Sequence, residues 1–332
     1  MTPAANLPEE VEHGLARYRT MLTIRYFEET VCAAAVAGRI RGPVHPYIGE
    51  EAIATGVCAA LRRDDYVAST HRGHGHAIGK GADPAAMMLE LYGRVGGLCG
   101  GKGGSMHVAD FSIGMLGANG VIGDGVTMSL GAIQGSRLLG RDVVAAAFIG
   151  DGGMNRGPVL EALNWAKTFR LPVLFVCEDN RYSASTHSRS VTAGPGFTAR
   201  AAGFGLPAEM VDGNDVIEVE RAARTMVEQL RAGAGPMFLH ALTYRIGGHL
   251  AQDAAPYRPK EELARRSPLD PLTRIETWLA HHGIETHTLE AERAAVRESI
   301  ATAERAAQAA DFPPAASVFA DIQDIGAPQW GA

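Results

Sequence analysis

One stretch constrains the fold more than any other: residues 143–186, VVAAAFIGDGGMNRGPVLEALNWAKTFRLPVLFVCEDNRYSAST. Residues 143–149 are an unbroken apolar run and read as a buried strand. Gly150-Asp151-Gly152 ends the run with two glycines around one carboxylate. Beyond Asn155, the apolar residues Val159, Leu160, Leu163, Trp165 and Ala166 recur at helical spacing as far as Phe169, and Pro172 stops the helix. Residues 173–177 form a second apolar run, ending in Glu178-Asp179-Asn180. Two buried strands joined by one helix should lie side by side and parallel, with a right-handed crossover. The expected fold is α/β: a mostly parallel, doubly wound sheet with helices on both faces.

In such sheets ligands bind beyond the carboxyl ends of the strands, and Asp151 and Asn180 each sit just past one. A carboxylate, an amide oxygen and free backbone carbonyls make an all-oxygen set that suits Mg²⁺ or Ca²⁺. Gly152 and Gly153 let backbone come close to a ligand. The helix that follows turns its N–H groups and positive dipole end toward an anion. A diphosphate bridged to the protein through Mg²⁺ satisfies all of these features. Two other phosphate-binding patterns fail. The Gly150–Asn155 hexapeptide lacks the third glycine of a dinucleotide fingerprint, and residues 96–103 (GGLCGGKG) end in glycine where a P-loop needs Ser or Thr.

Composition narrows the classes further. A net charge of −6 with 20% charged residues leaves no basic stripe for nucleic acid. No apolar run reaches membrane-spanning length. The four cysteines, Cys32, Cys58, Cys99 and Cys177, show no metal-ligand spacing and read as reduced core thiols of a cytoplasmic protein. The acidic N-terminus lacks the basic start and apolar core of a signal peptide, so a cytoplasmic location is expected. The 40 glycines concentrate between Gly73 and Gly157, which points to a site lined by backbone.

Taken in order, residues 1–6 are expected to be disordered. Residues 7–37 read as a long amphipathic helix and residues 49–60 as a second, with His45 in the loop between them. A short strand at 65–69 leads to a loop carrying His71, Arg72, His74 and His76, whose histidine spacing matches no common zinc pattern. Residues 82–93 form a helix with Asp83 as cap and Pro84 in its first position. Residues 96–110 are rich in glycine and fit no regular element. A helix is expected at 126–139. Beyond Asn180 come a polar loop to 196, a helix at 197–204, a strand at 209–212, a helix at 215–232 and a last buried strand at 235–245. The expected organisation is a single cofactor-binding domain over residues 1–332, with an N-terminal helix at 1–40 and a helical extension at 260–332. The charge runs of 288–311 read as a solvated helix face with i,i+4 pairs.

The pattern GDGxxNxGxxxExxNxAxxxxLPxxFxxExNxYxxST resembles the thiamine diphosphate motif of the alpha subunits of 2-oxo acid dehydrogenases, the pyruvate, branched-chain and acetoin dehydrogenases. The resemblance runs from about Tyr18 to the C-terminus. It implies Asp151, Asn180 and the backbone carbonyl of Tyr182 as Mg²⁺ ligands, with Gly152 and Gly153 beside the cofactor. GPVHPYIGEEA resembles the family's GxxHLxxGQEA and brings His45 to the entrance of the site. The segment around His71 and Arg72 is similar to a strand-end loop in which Arg72 pairs with the diphosphate and His71 contacts cofactor or substrate. GGKGGSMH and GANGVIG are similar to family segments whose backbone, at Gly120 and Ile122, holds the aminopyrimidine ring. In that context His107 has either a direct role or a bracing one. YRIGGHLAQDAAPYR resembles YRxxGHSxxDxxxYR, which makes His249 the active-site histidine and leaves Asp253, Tyr257 and Arg258 to order the loop.

Two departures stand out. Asp179 replaces an asparagine and adds negative charge beside the metal, and Leu250 replaces a serine that is phosphorylated in some members. The resemblance implies thiamine-dependent cleavage of a 2-oxo acid or an acyloin. It also implies an α₂β₂ assembly with a beta subunit that supplies the activating glutamate, and delivery of the product to a lipoyl-bearing acyltransferase. The alternatives are a thiamine diphosphate-dependent decarboxylase or ligase that uses no lipoyl partner, and a non-catalytic subunit that keeps the fold.

Overall fold

The strand–helix–strand unit lies at the centre of a parallel sheet. A computed structural model of the chain describes residues 8–320, so the disorder expected at 1–6 lies outside the described residues. In chain order the strands are β1 (Tyr66–Ala68), β2 (Met115–Gly117), β3 (Ala145–Gly150), β4 (Val173–Asp179), the hairpin pair β5 (Tyr182–Ser183) and β6 (Thr186–His187), β7 (Ala208–Asp212) and β8 (Met237–Leu242). The main sheet has the order β2-β1-β3-β4-β8-β7, and every pairing in it is parallel. β3 and β4 pair residue for residue from Ala145↔Val173 to Gly150↔Glu178. The helices are α1 (Glu9–Val36), α2 (Glu51–Ala59), α3 (Gly73–Lys80), α4 (Pro84–Leu91), α5 (Asp124–Leu138), α6 (Gly157–Phe169), α7 (Phe197–Gly203), α8 (Val216–Arg231), α9 (Lys260–Arg266), α10 (Pro271–His281) and α11 (Thr286–Ala309).

Successive side chains of a strand point to opposite faces, and here each face has its own apolar layer. Ala146, Phe148, Leu174 and Val176 join one cluster with α1, α2, α8 and the C-terminal helices. Ala145, Ala147, Ile149, Phe175 and Cys177 join the other with α5, α6 and α7. The chain leaves β1 toward β2 on one side and then crosses to β3 on the other. The connections thus diverge between β1 and β3, and a crevice opens at the carboxyl ends of these strands.

Most elements fall within two residues of their expected bounds, and the expected cap of α4 is present. Asp83 accepts from the Ala85 N–H with Pro84 leading α4, and Asp215 accepts from the N–H groups of Ile217 and Glu218. Four readings need correction. The histidine-rich stretch after β1 is helical from Gly73. Its glycines serve close packing: a Cβ on Gly73 would lie 2.3 Å from the Ala118 Cβ, and one on Gly75 would lie 2.2 Å from the Tyr47 ring. β2 follows the glycine-rich segment and, at three residues, is too short to show a period. α1 buries Leu15, Tyr18, Leu22, Ile24, Tyr26 and Phe27 on several sides, so it is sandwiched between layers and has no single apolar face. Three charges of α11 bind other elements: Glu292 pairs with Arg19, Arg293 with Glu276, and Glu304 with Arg39.

Candidate active site

The carboxyl ends of β1, β3 and β4 surround a cavity of about 430 Å³. Much of its lining comes in short runs, 69–72 after β1, 119–123 after β2, 150–153 after β3 and 182–184 after β4, joined among others by His45, Glu50, Glu178, Asn180, Arg245 and His249. His45, His71, Arg72, Gly120, Ile122, Asp151, Gly152, Gly153, Asn180, Tyr182 and His249 all line this cavity. His107 does not; it is exposed, with Nδ1 3.1 Å from the Gly103 carbonyl oxygen.

Asp151 is 2% exposed. Its Oδ1 accepts from the Gly152 N–H at 2.6 Å, while its Oδ2 is buried without a hydrogen-bond partner. Burial, reinforced by the negative charge of Asp179, pushes the carboxyl up to about 6. Gly152 has an ordinary helical φ of −63°, so glycine is needed there for space: a Cβ would lie 2.1 Å from the Ser183 Oγ. The Asn180 Nδ2 donates to the two oxygens of Glu50 at 3.0 and 3.1 Å. That contact fixes the amide, and its oxygen accepts from the Tyr182 N–H at 3.2 Å. The Tyr182 carbonyl accepts from Arg245 at 3.1 Å. A buried carboxylate oxygen without a partner, lining the same cavity as an oriented amide oxygen and a backbone carbonyl, suits a hard, oxygen-seeking cation.

Asp179 sits on the other face of β4 and does not line the cavity. Its carboxylate lies 3.3 Å from His240 Nε2 and 3.8 Å from Arg181, and it accepts from the Ser188 hydroxyl. The extra charge is therefore balanced locally, although it still reaches Asp151 through space.

Histidines crowd another part of the cavity. The His45 ring stands edge-on to His71 at 4.6 Å and to His249 at 4.8 Å between centroids. Nδ1 of His45 and Nδ1 of His71 are buried without partners. Burial and the charge of Arg72 drive His45 down to about 3 and His249 to about 4, and hold His71 well below its ordinary value. All three imidazoles are neutral at pH 7. Arg72 is 3% exposed and works as a staple. It donates to the Pro46 carbonyl at 2.6 Å, and to the His249 ring at 3.2 Å and carbonyl at 3.3 Å, tying the His45 and His249 loops together. Asp253 accepts from the His249 N–H and the Tyr257 hydroxyl at 2.7 Å each, and Arg258 donates to the carbonyls of Ile246 and Gly247. The loop is ordered as expected. His74 and His76 point elsewhere, to Glu28 and Ser105 and to Ser69 and Glu178.

Sequence reasoning missed Glu50, Glu178 and Arg245. Glu50 had a visible signal, a carboxylate where the related pattern carries glutamine. Burial and neighbouring Glu178 push its carboxyl well up. The glycine-rich segment resembling a P-loop has its amides occupied. Glu90 accepts from the N–H groups of Cys99, Gly101, Gly103 and Gly104 at 2.7–3.1 Å. An internal carboxylate thus fills the nest that a phosphate would need.

Residues 19–316 match the family described as the dehydrogenase E1 component. The chain is 47% identical over 260 residues to the alpha subunit of an acetoin:2,6-dichlorophenolindophenol oxidoreductase from Cupriavidus necator, covering 78% of each chain. It is 45% identical over 251 residues to the protein of the same description from Bacillus subtilis, covering 76% of this chain and 75% of that one. It is 39% identical over 313 residues to a pyruvate dehydrogenase E1 component alpha subunit from Rhizobium meliloti, covering 94% and 90%.

Proposed function

The chain belongs to the dehydrogenase E1 component family and is the alpha subunit of a thiamine-dependent oxidoreductase of the 2-oxo acid or acetoin type; from that premise we propose that it uses Mg²⁺ and thiamine diphosphate to cleave acetoin or a small 2-oxo acid. Asp151, Asn180 and the Tyr182 carbonyl would hold the cation, and Gly152 and Gly153 would let the diphosphate approach. The backbone at Gly120 and Ile122 would seat the aminopyrimidine. When bound, thiamine diphosphate supplies the carbanion that breaks the bond beside a carbonyl. His249, with His45 and His71, would exchange protons with the substrate and orient it. As neutral imidazoles these groups suit an uncharged acyloin at least as well as a carboxylate. Arg72 would lend its charge to the diphosphate while holding the two histidine loops.

In this reading the activating glutamate comes from a beta subunit in an α₂β₂ assembly, and the product passes to a lipoyl-bearing acyltransferase. Leu250 removes the phosphorylation control found in some relatives. No helix among the described residues is long and apolar enough to cross a membrane; we place the enzyme in the cytoplasm.

The observation that carries this reading is the unpartnered Asp151 Oδ2, buried in one cavity with Asn180 and Tyr182. The test is co-expression with the beta subunit, followed by Mg²⁺-dependent cofactor binding and turnover of acetoin, pyruvate and branched-chain 2-oxo acids. Asp151→Ala should abolish Mg²⁺-dependent binding and leave the assembly folded. Undiminished binding by that variant would defeat the assignment.

A further inference from the structure

The cavity holds a second set of donors whose chemistry differs from the oxygen set at Asp151. His45 lies in the loop before α2, His71 just beyond β1 and His249 in the loop after β8, and one ring nitrogen from each lies within 4.8 Å of the others. We infer that these imidazoles form a site for a nitrogen-seeking first-row dication such as Zn²⁺, distinct from the Mg²⁺ position.

Several features support it. Three histidines with an open position are a recurrent Zn²⁺ ligand set. Nδ1 of His45 and Nδ1 of His71 are buried without a hydrogen-bond partner, and a ligand on either atom would satisfy a group that is otherwise costly to bury. Metal ligation needs unprotonated imidazole, and burial next to Arg72 keeps all three in that form. Ligand type also sorts the cations within one cavity. Carboxylate and carbonyl oxygens suit Mg²⁺, whereas imidazoles suit Zn²⁺, Ni²⁺ or Cu²⁺. Zn–N bonds of about 2.0–2.1 Å place tetrahedral donors roughly 3.4 Å apart, so ring nitrogens at the 4.8 Å limit must approach each other by about 1.4 Å. Sequence spacing could not reveal this trio, because the histidines that neighbour one another in sequence, His74 and His76, are bonded elsewhere.

Arg72 opposes the metal. Its Nη2 is 3.2 Å from the His249 Nδ1, and its charge repels a dication. If His249 ligates through Nε2, Nδ1 must carry the proton, and that donor contact with Arg72 is lost. Binding is thus coupled to displacement of Arg72 from His249, and shortening residue 72 should tighten it. Because these histidines are also the groups assigned to the substrate above, a bound Zn²⁺ should compete with substrate; only this consequence rests on the proposed function.

The test uses untagged full-length chain, alone and assembled with its beta subunit, in excess Mg²⁺. Zn²⁺ is titrated by calorimetry, and Co²⁺ by its visible absorption. One equivalent per chain is expected, with tetrahedral-type Co²⁺ bands. His45→Gln and His71→Gln should each weaken binding at least about tenfold, and together remove it. Arg72→Met should bind more tightly. Thermal melts check folding, and His71→Cys, which keeps a ligand, should add a thiolate-to-Co²⁺ charge-transfer band. An unchanged stoichiometry and spectrum in the double glutamine variant, or no Co²⁺ bands in the parent chain, overturns the site. Binding without substrate competition would keep the site and instead count against the substrate placement.

Discussion

At residue 151 the protein maintains a carboxylate that its own fold disfavours. The folded-state value of about 6 lies above the ordinary 3.8. Between these two values the folded chain holds more protons than the unfolded one, so stability falls as pH rises through that window and stays lowered above it. At roughly 1.4 kcal/mol per pK unit, the penalty at neutral pH is on the order of 2–3 kcal/mol. A divalent cation on the free Oδ2 would relieve it. Asp151→Asn should therefore raise the thermal midpoint of the cation-free chain at pH 7.5, by about 2–4 °C for each kcal/mol recovered, and erase any shift on adding Mg²⁺. Differential scanning calorimetry with and without Mg²⁺ checks both halves. An Asn variant no more stable than its parent would show that residue 151 bears no such penalty.

Among the elements, the glycine-rich segment after α4 is held by one side chain. Glu90 is fully buried and receives amides from four positions of the segment. Glu90→Gln replaces one acceptor oxygen with an NH₂ group that faces backbone N–H donors. The expected cost is about 2–4 kcal/mol, with faster hydrogen exchange at Gly101, Gly103 and Gly104 and little change in the β3–β4 core. Urea unfolding and exchange measured by NMR test this. Exchange rates that stay the same would mean the segment is held elsewhere. Glu90 also marks the limit of sequence reading. The central strand–helix–strand unit was legible because burial on both faces leaves continuous apolar runs, and Asp151 and Asn180 were legible because topology alone puts them past neighbouring strand ends. α3 was not, because its glycines lower helix propensity while Ala118 and Tyr47 demand them. The meetings of Glu90 with the segment, Glu50 with Asn180, and His45 with His71 and His249 were not legible either. They depend on side chains from separate segments, which leave no period in the sequence.

Across the whole molecule, the outer helical layer is wired to the cavity through Arg25. From the middle of α1 it reaches Glu51, at the start of α2, at 2.5 Å, and Asp270, the cap of α10, at 3.0 and 3.2 Å. Glu51 is fully buried and also accepts from the Gly49 N–H at 3.0 Å. Burial raises its carboxyl despite the attraction of Arg25. The adjacent Glu50 holds the Asn180 amide. A buried ion pair adds little net stability, but removing one partner strands the other charge. Arg25→Met should thus destabilise the chain by about 3–5 kcal/mol, because Glu51 is left unpaired. It should also weaken Mg²⁺ binding, since the turn carrying Glu50 loses its anchor. Adding Glu51→Gln to that variant removes the stranded charge and should restore most of the stability. Denaturant unfolding of the two single variants and the double, each paired with a Mg²⁺ titration, separates the two effects. If Arg25→Met costs less than about 1 kcal/mol, or if Glu51→Gln fails to compensate, the coupling between helical layer and cavity runs through some other contact.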